Sequence, residues 1–236
     1  MSFPESDPTL ARRSFMTRLG AGLAAFGGAF TLGGGHLQAQ PAPAAPWTPT
    51  RHPQDDWLDA VPGQHRFFFD STSPAGVGEA ITFTSNFLAA SKSGYGLEPA
   101  DSAVIIGLRH HATAFAFSDA AWAKYGAPIG ERIAFKDPKT GTTPVLNVYQ
   151  VTGYGTALTN RETTLQMMVQ RGVHFAICDM ATRAFAGLAA TRLGLKSADV
   201  YDELKASVLP NAHFAAAGIV AVNRAQERGY AIQHIG

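Results

Sequence analysis

The chain of 236 residues has a single cysteine, Cys178. That excludes an intramolecular disulfide and any CxxC redox or zinc motif. HxxxH spacing, a Gly-rich phosphate loop of fingerprint form and a GxSxG elbow are also missing. Their absence removes the commonest metalloprotease, nucleotide-binding and α/β-hydrolase signatures. An excess of basic charge is lacking too. Of 19 basic and 18 acidic residues, three and two fall within residues 1–39, which leaves 16 of each. Nucleic acids and anionic membrane surfaces are held by clustered Lys and Arg, so neither is expected as a partner. The most apolar terminal stretch is interrupted by glycine throughout and makes a poor permanent membrane span.

That stretch, "ARRSFMTRLGAGLAAFGGAFTLGGG", opens with Arg12 and Arg13 ahead of Ser14 and Phe15. This is the pattern of a twin-arginine export signal. The signal is expected over residues 1–39, with Ala39 or the Ala42-Pro43-Ala44 step at the cleavage site, and it implies a periplasmic location. Residues 40–54 read as an extended proline-rich linker. Residues 55–236 are enough for one domain with a full core. The twin-arginine route carries folded cargo, which admits a cofactor but names none.

Within that domain, apolar runs alternate with amphipathic ones. Strands are expected near 65–70, 102–109, 173–178, 212–217 and 230–235. "SAVIIGLR" is the clearest, a continuous run with β-branched residues of the kind found in buried parallel strands. Ser73 and Pro74 mark a helix start. Ser118 marks another, expected to stop at Gly126. Thr159 and Glu162 have capping-box spacing before a helix closed by Gly172. Between these, "ERIAFKDPKTGTTPVLNVY" reads as two extended arms around a turn, a hairpin-like insert near 126–156. Its Ile133, Phe135, Val145, Leu146, Val148 and Tyr149 suggest an exposed contact patch and hence a homo-oligomer or a subunit of a larger complex. The alternation predicts an α/β fold: a mostly parallel sheet with helices on both faces.

Ligands of such sheets bind at the carboxyl ends of the strands. The residues expected there are Asp70, then Arg109, His110 and His111, then Cys178 and Asp179, then Ala216 to Gly218. Cys178 is the candidate nucleophile. It precedes a helix whose N–H groups and dipole favour a thiolate, whereas the Asp179 carboxylate opposes one. Asp70, Arg109, His110, His111 and Gly218 are the candidate ligand-binding residues, the histidines as proton shuttles or anion holders. No metal site is assigned. His174 and His213 fall at strand starts, at the opposite edge, and are expected to be structural.

"LQMMVQRGVHFAICDMATRAF" and "VLPNAHFAAAGIVAVNRAQERGYAIQHI" resemble the DsrE/DsrF-like family. The likeness lies in Arg171-Gly172-Val173 closing a helix, a strand ending in Cys178, Leu209-Pro210 before the next strand, Ala217-Gly218-Ile219 opening a helix, then Gln226 and Gly229-Tyr230. It covers roughly residues 65–236. The resemblance implies five parallel strands in the order 2-1-3-4-5, usually in a homo-oligomer. In that order the second and third strands are separated by the first, with their ends roughly 10 Å apart. The resemblance also implies a persulfide carried on Cys178, and so a periplasmic sulfur or thiol relay with a small sulfur-containing ligand. The alternative is a non-enzymatic ligand- or cofactor-binding module, or an accessory subunit of a periplasmic or membrane-associated complex.

Overall fold

Five parallel strands form one sheet in the computed structural model, which describes residues 47–236. The expected signal over 1–39 and residues 40–46 of the expected linker lie outside the described residues. The strands are β1 (His65–Ser71), β2 (Ser102–Leu108), β3 (His174–Cys178), β4 (Ala212–Ala215) and β5 (Ala231–Ile235). The helices are α1 (Trp57–Ala60), α2 (Pro74–Tyr95), α3 (Asp119–Arg132), α4 (Leu165–Gln170), α5 (Asp179–Leu193), α6 (Ser197–Ala206) and α7 (Gly218–Gln226). Among the described residues no helix is long and apolar enough to cross a membrane.

The two-residue period of the strands sorts their side chains into two cores. Phe69, Val104, Ile106, Leu108, Phe175 and Ile177 face one way and pack with α2, α3, α5 and α6. Phe68, Ala103, Ile105, Ala176 and Ala215 face the other way, onto α1 and α7. Helices therefore cover both faces, unequally. The thinner layer is pinned at α1, where the Tyr230 hydroxyl donates to the Leu58 carbonyl at 2.7 Å and Arg228 Nε donates to Asp59 at 3.0 Å.

The strand order is β4-β3-β2-β1-β5, not the expected 2-1-3-4-5. Both orders put the last strand at an edge, but the centre differs. β2 is buried at every position, whereas β1 begins with an exposed His65. The unbroken apolar run of β2 thus marks the middle of the sheet, which needs cover on both faces and both sides. As a result β2 and β3 are direct neighbours, with Leu108 opposite Ile177.

Ser73 and Ser118 cap their helices as expected, accepting from Gly76 N and Ala121 N. Gly126 does not end α3, which continues through Pro128 to Arg132. Gly126 and Gly130 lie one helical turn apart, and the chain passes close over both. A β-carbon at Gly126 would sit 2.7 Å from the Pro144 carbonyl oxygen, and one at Gly130 2.3 Å from Thr143 Cγ2. These glycines serve close packing rather than termination.

The expected hairpin is also absent. No strand forms between α3 and α4; the segment runs through turns and one short 3₁₀ stretch, Gly155–Ala157. The Asn147 side chain instead fastens the segment to the backbone that follows β2. Its Nδ2 donates to the carbonyls of Phe115 and Phe117, at 2.7 and 2.9 Å, and its Oδ1 accepts from Tyr149 N. Thr159 and Glu162 form no capping box. α4 is capped by Thr164, which accepts from Met167 N, while the Glu162 carboxylate accepts from Gly153 N and Gly155 N. The suggested contact patch is not exposed: Ile133, Val148 and Tyr149 are core residues, and Phe135 and Leu146 pack against them. Of that set only Val145 is largely exposed.

Candidate functional site

The carboxyl ends of β1, β2, β3 and β5 bring four side chains into one row. Arg109 follows β2, and the β2–β3 register sets it beside Cys178. The expected separation of about two strand spacings is therefore replaced by one, roughly 4.8 Å. Cys178 is close enough to act on the guanidinium electrostatically. Arg109 reaches the other way across β1, where Nε and Nη2 donate to Asp70 Oδ1 and Oδ2 at 2.7 and 2.8 Å. This is the bidentate geometry that makes Arg–carboxylate pairs strong. These Asp70 hydrogen bonds raise the Arg109 pKa against the cost of partial burial. Asp70 itself is 3 % exposed.

His234 on β5, in register with Asp70, completes the row. Its Nδ1 lies 3.0 Å from Asp70 Oδ2. A carboxylate only accepts, so Nδ1 carries a proton in this contact. From the sequence, this residue falls in the last strand with no assignment to the edge. The signal was there: "QHI" puts His234 on the same face as Ile232 and one residue short of the strand end.

Gly218 lies under the row. It opens α7 and is the bed for the Arg109 stem, since a β-carbon there would stand 2.2 Å from Arg109 Cβ and 3.0 Å from Cδ. α7 starts without a side-chain cap, because its N-cap residue is Ala217.

Cys178 is the N-cap of α5. Its Sγ accepts from Ala181 N at 3.4 Å, and the residue keeps 7 % of its surface exposed. A helix N-terminus and a neighbouring cation both favour negative charge on sulfur. Asp179 was expected to oppose this, but its charge is taken up elsewhere. Arg183 Nε and the Tyr201 hydroxyl donate to it at 2.7 and 2.5 Å. Burial works against the ionised form, yet these bonds outweigh it and hold the carboxyl below its usual range. Met180, Ile219 and Val220 are exposed on the first turns of α5 and α7.

His110 and His111 do not join the row. His110 is exposed in a left-handed conformation, φ 54°, with its ring stacked on His111 at 4.1 Å. Burial, with His110 and Arg132 nearby, lowers the His111 pKa. Among the described residues no group of three or more His, Cys, Asp or Glu is arranged to hold a metal ion. An apolar cleft of about 380 Å³ lined by His65, Phe67, Phe87 and Tyr95 lies at the amino end of β1, away from this chemistry.

His174 and His213 pair at the opposite edge, Nδ1 to Nε2 at 2.9 Å, and His213 stacks on Trp57 at 4.1 Å. Burial, then His174, pushes the His213 pKa down to about 4, and burial lowers that of His174. The unfolded chain, with an ordinary imidazole near 6.5, binds more protons between those two values. The contribution of His213 is therefore complete above about pH 6.5 and is lost as pH falls toward about 4. The ring is half-exposed, so the expected loss is discounted for screening to about 1–2 kcal/mol. Urea unfolding of the wild type and of His213→Gln at both ends of that range checks it. The variant should lose less stability on acidification.

A scan against protein-family models, a search of curated proteins and a search of solved structures each return no match.

Proposed function

We propose that this is an exported DsrE-like protein that carries sulfur on Cys178, a thiol relay rather than a hydrolase or a nucleotide enzyme. The supporting observation is the surroundings of the sulfur: N-cap of a 15-residue helix, beside Arg109, with the Asp179 charge paired away. In the proposed step the Cys178 thiolate attacks the outer sulfur of a small persulfide, R–S–SH. The S–S bond of the persulfide breaks, R–S⁻ leaves with its electron pair, and a new S–S bond leaves Cys178 as Cys–S–SH. No external oxidant or reductant is needed. Arg109 and the Ala181 N–H stabilise the anionic sulfur before and after transfer.

Mass spectrometry of the full chain after incubation with a small organic persulfide tests this. The expected product is one added sulfur on Cys178. Arg109→Met should slow loading about tenfold, the equivalent of about 1.4 kcal/mol of barrier. An unmodified Cys178 in a folded protein would sink the proposal.

The exposed Met180, Ile219 and Val220 support a second reading, in which this edge docks onto an apolar partner surface, in a homo-oligomer or a larger periplasmic complex. Cys178 is then part of the contact lining. Light scattering of wild type against Ile219→Lys separates the two. A shift to smaller species with loading unchanged favours docking.

A further inference from the structure

Asp70 Oδ2 serves two donors at once: Arg109 Nη2 at 2.8 Å and His234 Nδ1 at 3.0 Å. One acceptor atom thereby links a ring exposed on β5 to the guanidinium that flanks Cys178. Three strand spacings, about 14 Å, separate the ring from the sulfur, too far for direct contact. We propose that His234 is a positioning residue for Cys178, acting through Asp70 and Arg109. This rests on the thiol reading of Cys178.

The link works through shared charge. While the imidazole is neutral, Asp70 spends its negative charge on Arg109, and the guanidinium offers the sulfur a largely balanced partner. When the imidazole gains a proton, it draws on the same Oδ2 more strongly. Less of the Asp70 charge then offsets Arg109, whose positive field on Cys178 grows. Other groups do not supply the same link. Cys178 acts on Arg109 from β2, and the next residue, Asp179 on α5, is met by Arg183 on the same helix and by Tyr201 and Lys205 from α6. Asp179 is already bonded to Arg183 and Tyr201. The α7 start contributes Gly218, Ile219 and Val220, none of them charged. His234 faces Asp70 from β1, and β5 is the outermost strand on its other side.

The test compares alkylation of Cys178 by iodoacetamide in the full chain and in His234→Gln. Glutamine keeps a donor on an exposed site, so folding should be unaffected. Across a pH series the wild type should react about threefold faster than the variant at the acid end and the two should agree at the alkaline end, the acid-side excess being the mark of an imidazolium. Adding Asp70→Asn to both chains should abolish the difference between them. Superimposed profiles for wild type and His234→Gln would overturn this inference alone. No alkylation in either folded protein would overturn the thiol reading, and this inference with it.

Discussion

Replacing Asp70 by Ala should destabilise the protein by about 4 kcal/mol, because it strands a cation that the fold has partly buried. The Arg109 side chain is 24 % exposed and its carboxylate partner 4 %. Its stem is trapped against Gly218, so the guanidinium cannot swing freely into water. For a domain of this size that loss corresponds to about 10 °C in melting temperature. Asp70→Asn should cost less, since the amide oxygen still accepts one bond from Arg109. It should also raise Cys178 reactivity, because Arg109 is no longer neutralised. Thermal unfolding and urea titration of both variants measure this. A loss below about 1 kcal/mol for Asp70→Ala would mean that Arg109 reaches solvent and that the pair is not the brace described above.

Asn147→Ala is expected to be nearly as damaging, at about 3 kcal/mol, although the residue lies far from any charge in the strand-end row. Asn147 is fully buried and ties the insert to the 3₁₀ segment His110–Ala116 and the Phe117 that follows it through two donated bonds, while its Oδ1 accepts from Tyr149 N within the insert. Alanine takes this partner from the Phe115 carbonyl and from Tyr149 N, and leaves the Phe117 carbonyl only the long bond from Gln150 Nε2 at 3.4 Å, in a core that also holds Trp122 and Tyr149. Each orphaned group contributes on the order of 1 kcal/mol. The insert should then loosen before the sheet does, so limited proteolysis should cut within residues 133–164 well before thermal unfolding. Val145→Ala, on the same segment but 70 % exposed, should stay within about 0.5 kcal/mol of wild type. If Asn147→Ala behaves like Val145→Ala, the insert is held by its apolar residues alone.

The individual strands and most helices were legible in the sequence because each has a local signature. The continuous run of β2, the Ser73-Pro74 start of α2 and the Cys178 strand end all rest on neighbours in the chain. The sheet order is not local. It follows from which runs are covered on all sides, and the full burial of Ser102–Leu108 against the exposed start of β1 was the available clue. The insert misled for a related reason. Its alternating apolar residues suit an extended arm, but Asn147 satisfies the neighbouring backbone through a side chain, which period counting does not see. Gly126 looked like a helix stop because a glycine with positive φ and a glycine under a crossing chain read alike in sequence.

The same division holds at the edge. Asp70, Arg109 and Cys178 were legible as strand ends, since a parallel sheet sends them to one side. Their mutual contacts depended on the order, and so did the role of Gly218. His234 was missed because β5 returns beside β1, the long-range step that puts it against Asp70. His110 and His111 drew notice as adjacent imidazoles, yet the left-handed turn at His110 stacks the two rings on each other.

The proposed relay requires folding to make Cys178 a reactive thiol rather than a core filler. The most direct measurement is the iodoacetamide rate at Cys178 at about pH 6.5, where an ordinary thiol is almost wholly protonated, in the native chain and in the same chain unfolded in urea. The native thiol is expected to react at least as fast as the unfolded one despite its 7 % exposure. Native-state protection of about a hundredfold, as expected of a sulfur that serves only as packing, would contradict the claim.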